Sequence, residues 1–151
     1  MSRIVSGRGG PVVKWLDSRI FTQDHFPEDT TWIALIDECT GEILGATCFT
    51  DYRGSCISLH FAGAKRGWLT RRFIQTCFNY VFNELGCRRA VGLVRKDNLK
   101  ALITDIKLGF TVECLMRKAD DDGQDMYLLS LLREECKWLP KAGTGKEKAN
   151  G

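Results

Sequence analysis

Apolar residues recur along this chain with two periods, and the switches between them set out the elements. Val12, Val13, Trp15, Leu16 and Ile20 fall at near-helical spacing behind Pro11, a residue suited to a first helical turn, so the pattern predicts a short helix over Pro11 to Phe21. Thr22 to Thr31 is polar and contains Pro27, which makes it a connection or a poorly formed second helix. Trp32 to Ile36 and Ile43 to Phe49 are strand-like runs joined by the turn Glu38-Cys39-Thr40-Gly41, a hairpin. A turn at Asp51 to Gly54 leads to Cys56 to Phe61, where Ile57, Leu59 and Phe61 alternate with Ser58 and His60, the mark of a strand with one buried face. Three antiparallel strands are therefore expected first.

Phe73, Ile74, Cys77, Phe78, Val81, Phe82 and Leu85 then recur every three or four residues and predict the best helix of the chain. It begins near Leu69 or Thr70 and stops at Gly86. Ala90 to Val94 is too short for a helix and reads as a strand, ending at Asp97-Asn98, where Asn98 is suited to cap a second strong helix. Leu99, Leu102, Ile103 and Ile106 are the expected buried stripe of that helix, and Gly109 is its left-handed stop. Phe110 to Arg117 and Asp125 to Leu132 flank the Asp120-Asp121-Asp122-Gly123 turn as a closing hairpin. The fold class is α/β (α+β), a single domain over 1–139. The tail, 140–151, is rich in Lys, Gly and Ala without apolar periodicity and is expected to be disordered.

Composition narrows the class of function. A chain of 151 residues with 44% hydrophobic content fits one core. Met1 to Pro11 is polar and glycine-containing, with no apolar run of the secretory kind, and no stretch reaches membrane length; a soluble cytoplasmic protein is expected. The seven cysteines form no Cys-x-x-Cys pair, so most are expected to be buried small hydrophobes, and no metal is expected. The net charge of +3 is mild, but Lys65-Arg66, Arg71-Arg72, Arg88-Arg89 and Arg95-Lys96 crowd the middle third, a grouping that a phosphate-bearing ligand explains. Nucleic acid is not expected, because the aromatics fit the helix core and no recognition motif is present.

The candidate chemistry lies where helices begin. The N-terminus of a helix offers unpaired N–H groups and partial positive charge to a phosphate. Lys65-Arg66-Gly67-Trp68-Leu69-Thr70-Arg71 places a glycine and flanking cations at such a start. A lone glycine before a helix also reads as a plain turn. The next block is more specific. Asn98-x-x-Ala101 followed by Lys107-x-Gly109-Phe110 resembles the closing motif of the GNAT superfamily of acetyl-CoA-dependent N-acyltransferases, and the order of elements from about Pro11 to Leu132 is similar to that fold. Trp68-Leu69-Thr70, Glu113 with Arg117, and Leu132 to Leu139 are similar to small GNAT-like proteins encoded by tailed bacteriophages.

The resemblance implies a central mixed, mostly antiparallel sheet flanked by helices, with splayed central strands at Ile57 to Ala62 and Ala90 to Val94. It implies acetyl-CoA as co-substrate and an amine acceptor attacking the thioester directly in a ternary complex. Phe61, Ala62, the loop Lys65 to Arg71, Asn98 and Lys107 would bind the cofactor. Asn98 would serve equally well as an N-cap alone. Two positions depart from the family: Leu69 stands where a second small residue is expected after Gly67, and Asp105 replaces the Tyr that protonates the departing thiolate. A carboxylate is ionised at neutral pH unless its pKa is raised. His60 is the economical general base, Glu113 the alternate, and Tyr127 a substitute acid. Their ordinary readings are a strand histidine, a surface ion pair and a packed side chain. The competing class is a GNAT-like module that binds CoA poorly and acts by interaction, as a homodimer, in a phage particle or against a host protein.

Overall fold

In the computed structural model, which describes residues 1–140, the chain runs β1 (Ser2–Arg8), α1 (Pro11–Ile20), β2 (Thr31–Asp37), β3 (Ile43–Thr50), β4 (Cys56–Gly63), α2 (Arg71–Asn79), a π-helical turn (Tyr80–Glu84), β5 (Arg89–Arg95), α3 (Leu99–Leu108), β6 (Thr111–Met116) and β7 (Met126–Leu132), with a 3-10 turn over Arg133–Glu135. The strands form one sheet in the order β1-β2-β3-β4-β5-β7-β6, antiparallel at every step except β4–β5, so the mixed, mostly antiparallel sheet expected from the sequence is present. The expected disordered tail lies, Pro140 aside, outside the described residues. No helix of the described residues is long and apolar enough to cross a membrane.

Both faces of the sheet are covered. On one, α2 and α3 bury Phe73, Phe78, Phe82 and Leu108 against Ile57, Leu59, Ala90, Leu129 and Leu131. On the other, α1 lays Val12, Val13 and Leu16, with Phe26 from the following loop, over Ala34, Ala46 and Cys48. Each fully buried Phe or Leu removes enough apolar surface to contribute about 2 to 3 kcal/mol before entropy is counted. The small residues under α1 allow that helix to lie close to the strands.

Several expectations are corrected. Four antiparallel strands come first, not three, because polar Ser2 to Arg8 pairs with β2 from Ser2↔Asp37 to Arg8↔Thr31. An edge strand needs one ladder and half a buried face, and Ile4 and Val5 alone do not make a periodic signal. Of the two readings of the segment after α1, the connection holds and the second helix does not; its anchor is Phe26, whose N–H donates to Asp17 at 2.7 Å. The long helix is α-helical only to Asn79. Beyond it Leu85 N–H reaches the Tyr80 carbonyl five residues back, and Arg133 donates to the Phe82 carbonyl and, at 2.7 Å, to Asn83 Oδ1. Of the seven cysteines only Cys48, Cys77 and Cys87 are buried.

The stripe of α3 is the largest departure. Leu99, Ile103 and Ile106 are 62%, 53% and 51% exposed, while Asp105 and Leu108 are buried. Periodicity located a helical face correctly but assigned it to the core, and the packed side is one step round the helix. Val112 and Leu115 of β6 are also exposed. A bulge at Glu113 puts both on the α3 side of the sheet, opposite Leu129 and Tyr127.

One contact fixes the loop ahead of α2. Gly45 and Gly63 face each other across β3 and β4, and the Trp68 indole lies on both; a Cβ at Gly45 would stand 1.9 Å from the ring and one at Gly63 2.0 Å from Nε1. Trp68 also meets Phe73 edge-on at 5.3 Å. Gly63→Ala keeps an allowed backbone but must displace the indole. It is predicted to cost about 1 to 3 kcal/mol in urea unfolding and to shift tryptophan emission.

Candidate active site

At the centre of the sheet the only parallel ladder of the described strands is incomplete. β4 and β5 pair from Cys56↔Arg89 to Leu59↔Gly92 and then part, although β4 stays bonded to β3 through Gly63 and β5 to β7 through Arg95. Antiparallel alternation tells which backbone groups this frees. Ala64 N–H bonds the Leu44 carbonyl, so Ala62 and His60 turn their groups to β3 and leave those of Phe61 and Gly63 facing the gap. Arg133 N–H on Arg88 and Lys96 N–H on Asp125 fix the same parity in β5, where Leu93 and Arg95 face the gap. Of the two β4 residues expected to bind a cofactor, Phe61 turns its backbone to the gap and Ala62 to β3, while Gly63, Leu93 and Arg95, which face the gap too, were not singled out in the sequence. Parity in a ladder follows from register, which single-strand patterns do not reveal.

The gap opens toward two helix starts. Thr70 caps α2, its Oγ1 accepting from Phe73 N–H at 3.2 Å, and Asn98 caps α3, its Oδ1 accepting from Ala101 N–H at 3.2 Å. Between β4 and α2, Gly67 takes a φ of +80° with open space where a Cβ would stand, and Lys65, Arg66 and Arg71 surround it. Leu69, the departure from the family loop, turns into the main core and does not fill the loop. Lys107 sits in the last turn of α3, about 13 Å along the axis from Asn98, away from the gap. Gly109 and Phe110 act in the fold: a left-handed cap and a ring packed on Phe78 at 6.1 Å.

The candidate acid–base residues divide between the two faces. On the α2–α3 side, Tyr127 packs against the main core, and Asp105 points to β5, with Oδ2 3.5 Å from where a Cβ of Gly92 would be. Burial raises the Asp105 pKa to about 7. On the α1 side, His60 bonds Thr50 Oγ1 through Nε2 at 2.8 Å and lies 4.9 Å from the Phe26 ring, so burial lowers its pKa to about 4 and leaves it neutral above that. The expectation that His60 faces away from Ile57, Leu59 and Phe61 is correct, but that second face is itself covered by α1.

Glu113, also on this side, accepts two bonds from Arg89 at 2.6 and 2.7 Å and one from Ser130, which lower its pKa to about 2. Strands β5 and β7 separate it from His60. Arg95 likewise bonds Asp97, Asp120 and Asp122, at 3.0, 2.8 and 2.5 Å. The cationic pairs of the middle third therefore divide, with Arg89 and Arg95 engaged by carboxylates and the pairs at 65–66 and 71–72 around the loop. Asp120, Asp121 and Asp122 lie close enough to hold a metal ion. Arg95 neutralises two of them, and Asp121 Oδ2 accepts the N–H groups of Thr22, Gln23 and Asp24 at 2.9, 2.6 and 3.0 Å. That clamp ties the α1–β2 loop to the β6–β7 turn, and no local pattern announces it.

A sheet parted between two parallel central strands, with a glycine turn and a helix N-terminus beyond the parting, is the arrangement of the GNAT fold, and this chain has that fold. Among solved structures it is similar to a variant of the SpeG spermidine N-acetyltransferase of Vibrio cholerae, with a TM-score of 0.70 at 13% identity over 85% of this chain and 93% of that one. It is similar also to a GNAT-family acetyltransferase of Bacillus anthracis, with a TM-score of 0.65 at 15% identity over 88% and 96%. A probable acetyltransferase gives a TM-score of 0.60 at 19% identity; the match covers 69% of this chain and 62% of that longer one. No protein-family model and no curated protein matches the sequence.

The Arg89–Glu113 pair gives a pH test. A folded-state pKa near 2 against an ordinary value of 4.5 means that the stabilisation is complete above about pH 4.5 and is lost as the pH falls toward 2. Glu113→Gln is predicted to lower the melting temperature at pH 6, with the difference from wild type closing between pH 4.5 and 2.

Proposed function

We propose that this domain is an acetyl-CoA-dependent N-acetyltransferase that transfers the acetyl group to a primary amine by direct attack in a ternary complex. The observation that carries the reading is the parting of β4 from β5 beside the Gly67 loop. The backbone groups of Phe61 and Leu93, with the N–H groups of Gly63 and Arg95, whose carbonyls already accept from Arg19 at 3.4 Å and from Asn98 N–H at 3.0 Å, match the needs of an amide-containing pantetheine arm and of a thioester carbonyl, whose developing charge an N–H stabilises. Gly67, Lys65, Arg66 and the start of α2 take the pyrophosphate. The nucleotide end enters the open groove of about 560 Å³ that continues along α2 past Arg71, Arg72, Lys137 and Trp138.

The amine approaches from the α1 side, where the clamped Thr22–Asp24 loop lies over the sheet. Exposed Asp24 and Glu28 favour a cationic acceptor. The spermidine N-acetyltransferase among the structural neighbours is consistent with that choice. Most of the rate then comes from holding two substrates in line. Neither His60, neutral and buried, nor Glu113, held as an anion by Arg89, is a ready proton acceptor in its place, so we assign loss of the ammonium proton to solvent.

A second reading, an interaction module that binds CoA poorly, is favoured by one observation. Leu99, Ile103 and Ile106 on α3, with Val112 and Leu115 on the edge strand β6, leave apolar side chains exposed on one side of the sheet. A second copy of the chain, making a homodimer, would cover them.

Thermal unfolding in acetyl-CoA separates the two. The enzyme reading predicts about 2.7 kcal/mol of added stability at 100 times the dissociation constant. It also predicts loss of that gain in Gly67→Glu, read on protein whose circular dichroism shows the fold retained, since a side chain at a φ of +80° strains the loop as well as filling it. No shift at millimolar acetyl-CoA defeats it and leaves the interaction reading.

A further inference from the structure

The two edges of the sheet are built differently. At β6 a bulge between Val112 and Cys114 breaks the register. β1 pairs with β2 through seven consecutive residues, from Ser2 to Arg8, with no shift and no proline. A regular edge of this kind is a template for a further strand. Parity tells which of its groups are free. Glu38 N–H donates to the Met1 carbonyl at 3.0 Å and Gly9 N–H to the Thr30 carbonyl at 2.9 Å, so the odd residues bond β2. Ser2, Ile4, Ser6 and Arg8 turn their N–H and C=O groups outward.

The same even residues send their side chains to the α2 face, opposite Leu35, Ile33 and Thr31. There Ile4, Ser6 and Arg8 form one wall of an open groove of about 600 Å³, and Arg72, Thr76, Tyr80 and Glu84 form the other. A row spaced by four drifts about 40° per step round an α-helix. The π-helical turn, whose bonds reach five residues back, takes up that drift between Tyr80 and Glu84 and keeps the carboxylate on the groove. α2 runs against β4, and β1 is three antiparallel steps from β4, so helix and edge strand run in the same sense. Arg72 therefore lies toward Ser2 and Glu84 toward Arg8. Tyr80 agrees: burial and then the Glu84 carboxylate raise the pKa of its hydroxyl, and Arg8 opposes them. Arg8 is bound by Asp29 at 3.2 Å, while Arg72 and Glu84 have no ion pair among the described residues. The groove thus has an apolar stretch at Ile4 and Ile33 between a free cation and a free anion, about 18 Å apart along the helix.

We propose that β1 and this groove bind an extended peptide segment of a partner protein, added to the sheet as an eighth strand. It runs antiparallel to β1, the more stable pairing. Its alternate side chains enter the groove, with apolar residues in the middle, a cationic residue toward Glu84 and an acidic residue toward Arg72. Main-chain bonds supply the affinity and the groove the selectivity. Six residues of extended chain cover about 20 Å, close to the separation of the two charges. The site is independent of the acetyltransferase reading, because β2 and β3 stand between β1 and the parted strands.

The probe is the capped peptide acetyl-Lys-Thr-Val-Thr-Val-Thr-Glu-amide, added to the full chain and followed by amide exchange. Saturating peptide should slow exchange about tenfold or more at Ile4, Ser6 and Arg8, and leave Val5 and Gly7, already bonded to β2, unchanged. N-methylation of the two valines, whose N–H groups would face β1, should weaken binding about tenfold or more, whereas N-methylation of two threonines should not. Exchanging the Lys and Glu ends should also weaken it. Ser6→Pro removes an N–H that the fold does not use, so the melting temperature should hold while binding is lost. If that variant unfolds, the methylated peptides carry the test on the native sequence. Absence of binding at millimolar peptide, protection at Val5 in place of Ile4, or binding indifferent to methylation or to the order of the ends overturns the proposal. So does protection of Ile4 and Ser6 that needs no peptide and grows with protein concentration, which would make a second copy of the chain the occupant.

Discussion

Four residue pairs hold β4 to β5, and beyond Leu59 and Gly92 the two strands separate while each remains bonded to its outer neighbour. Backbone N–H and C=O groups inside a sheet cannot be left unmet without cost, so a gap of this kind stays in contact with water or takes a ligand that can replace the missing strand. A parallel pair suits this better than an antiparallel one. Its crossover helix starts beyond the strand ends, which brings the Gly67 loop and the N-terminus of α2 to the mouth of the gap. The start of α3 follows from the end of β5 by the same geometry. The GNAT fold of this chain is thus a consequence of where one ladder stops.

Around that gap the side chains divide by the face on which parity puts them. Phe61, Leu59 and Asp105 belong to the side of α2 and α3, and His60 and Glu113 to the side of α1. The same Asp substitution that looked in sequence like the loss of an acid becomes, once buried against Gly92, a group able to hold a proton near neutrality. Burial raises the Asp105 carboxyl, while Arg89 beside Glu113 lowers that one, so the two move in opposite directions from their ordinary range. Chemical identity alone does not assign either role.

Much of the architecture was legible in the sequence because it rests on local rules. Asn98 and Gly109 bound α3 through a side-chain cap and a positive φ, and the alternation in Cys56–Phe61 marks a strand. What escaped depends on partners distant in the chain. β1 has too few apolar residues to announce itself and exists by pairing with β2. Leu99, Ile103 and Ile106 form a sound helical stripe that tertiary packing leaves outside. Trp68 is held by glycines on two other strands, and Asp121 by a loop about a hundred residues earlier. For the site, the loop and cap positions were readable, but the backbone groups of Gly63, Leu93 and Arg95 were not, since only register tells which way they point.

The central claim is that the parted strands receive a ligand through alternate backbone groups, and amide hydrogen exchange resolved by residue addresses it most directly. Adding saturating acetyl-CoA should slow exchange at Phe61, Gly63, Leu93 and Arg95. His60 and Ala62, whose N–H groups already bond β3, should change little. Protection that ignores this alternation, or that appears elsewhere while these four amides stay unchanged, would contradict the account.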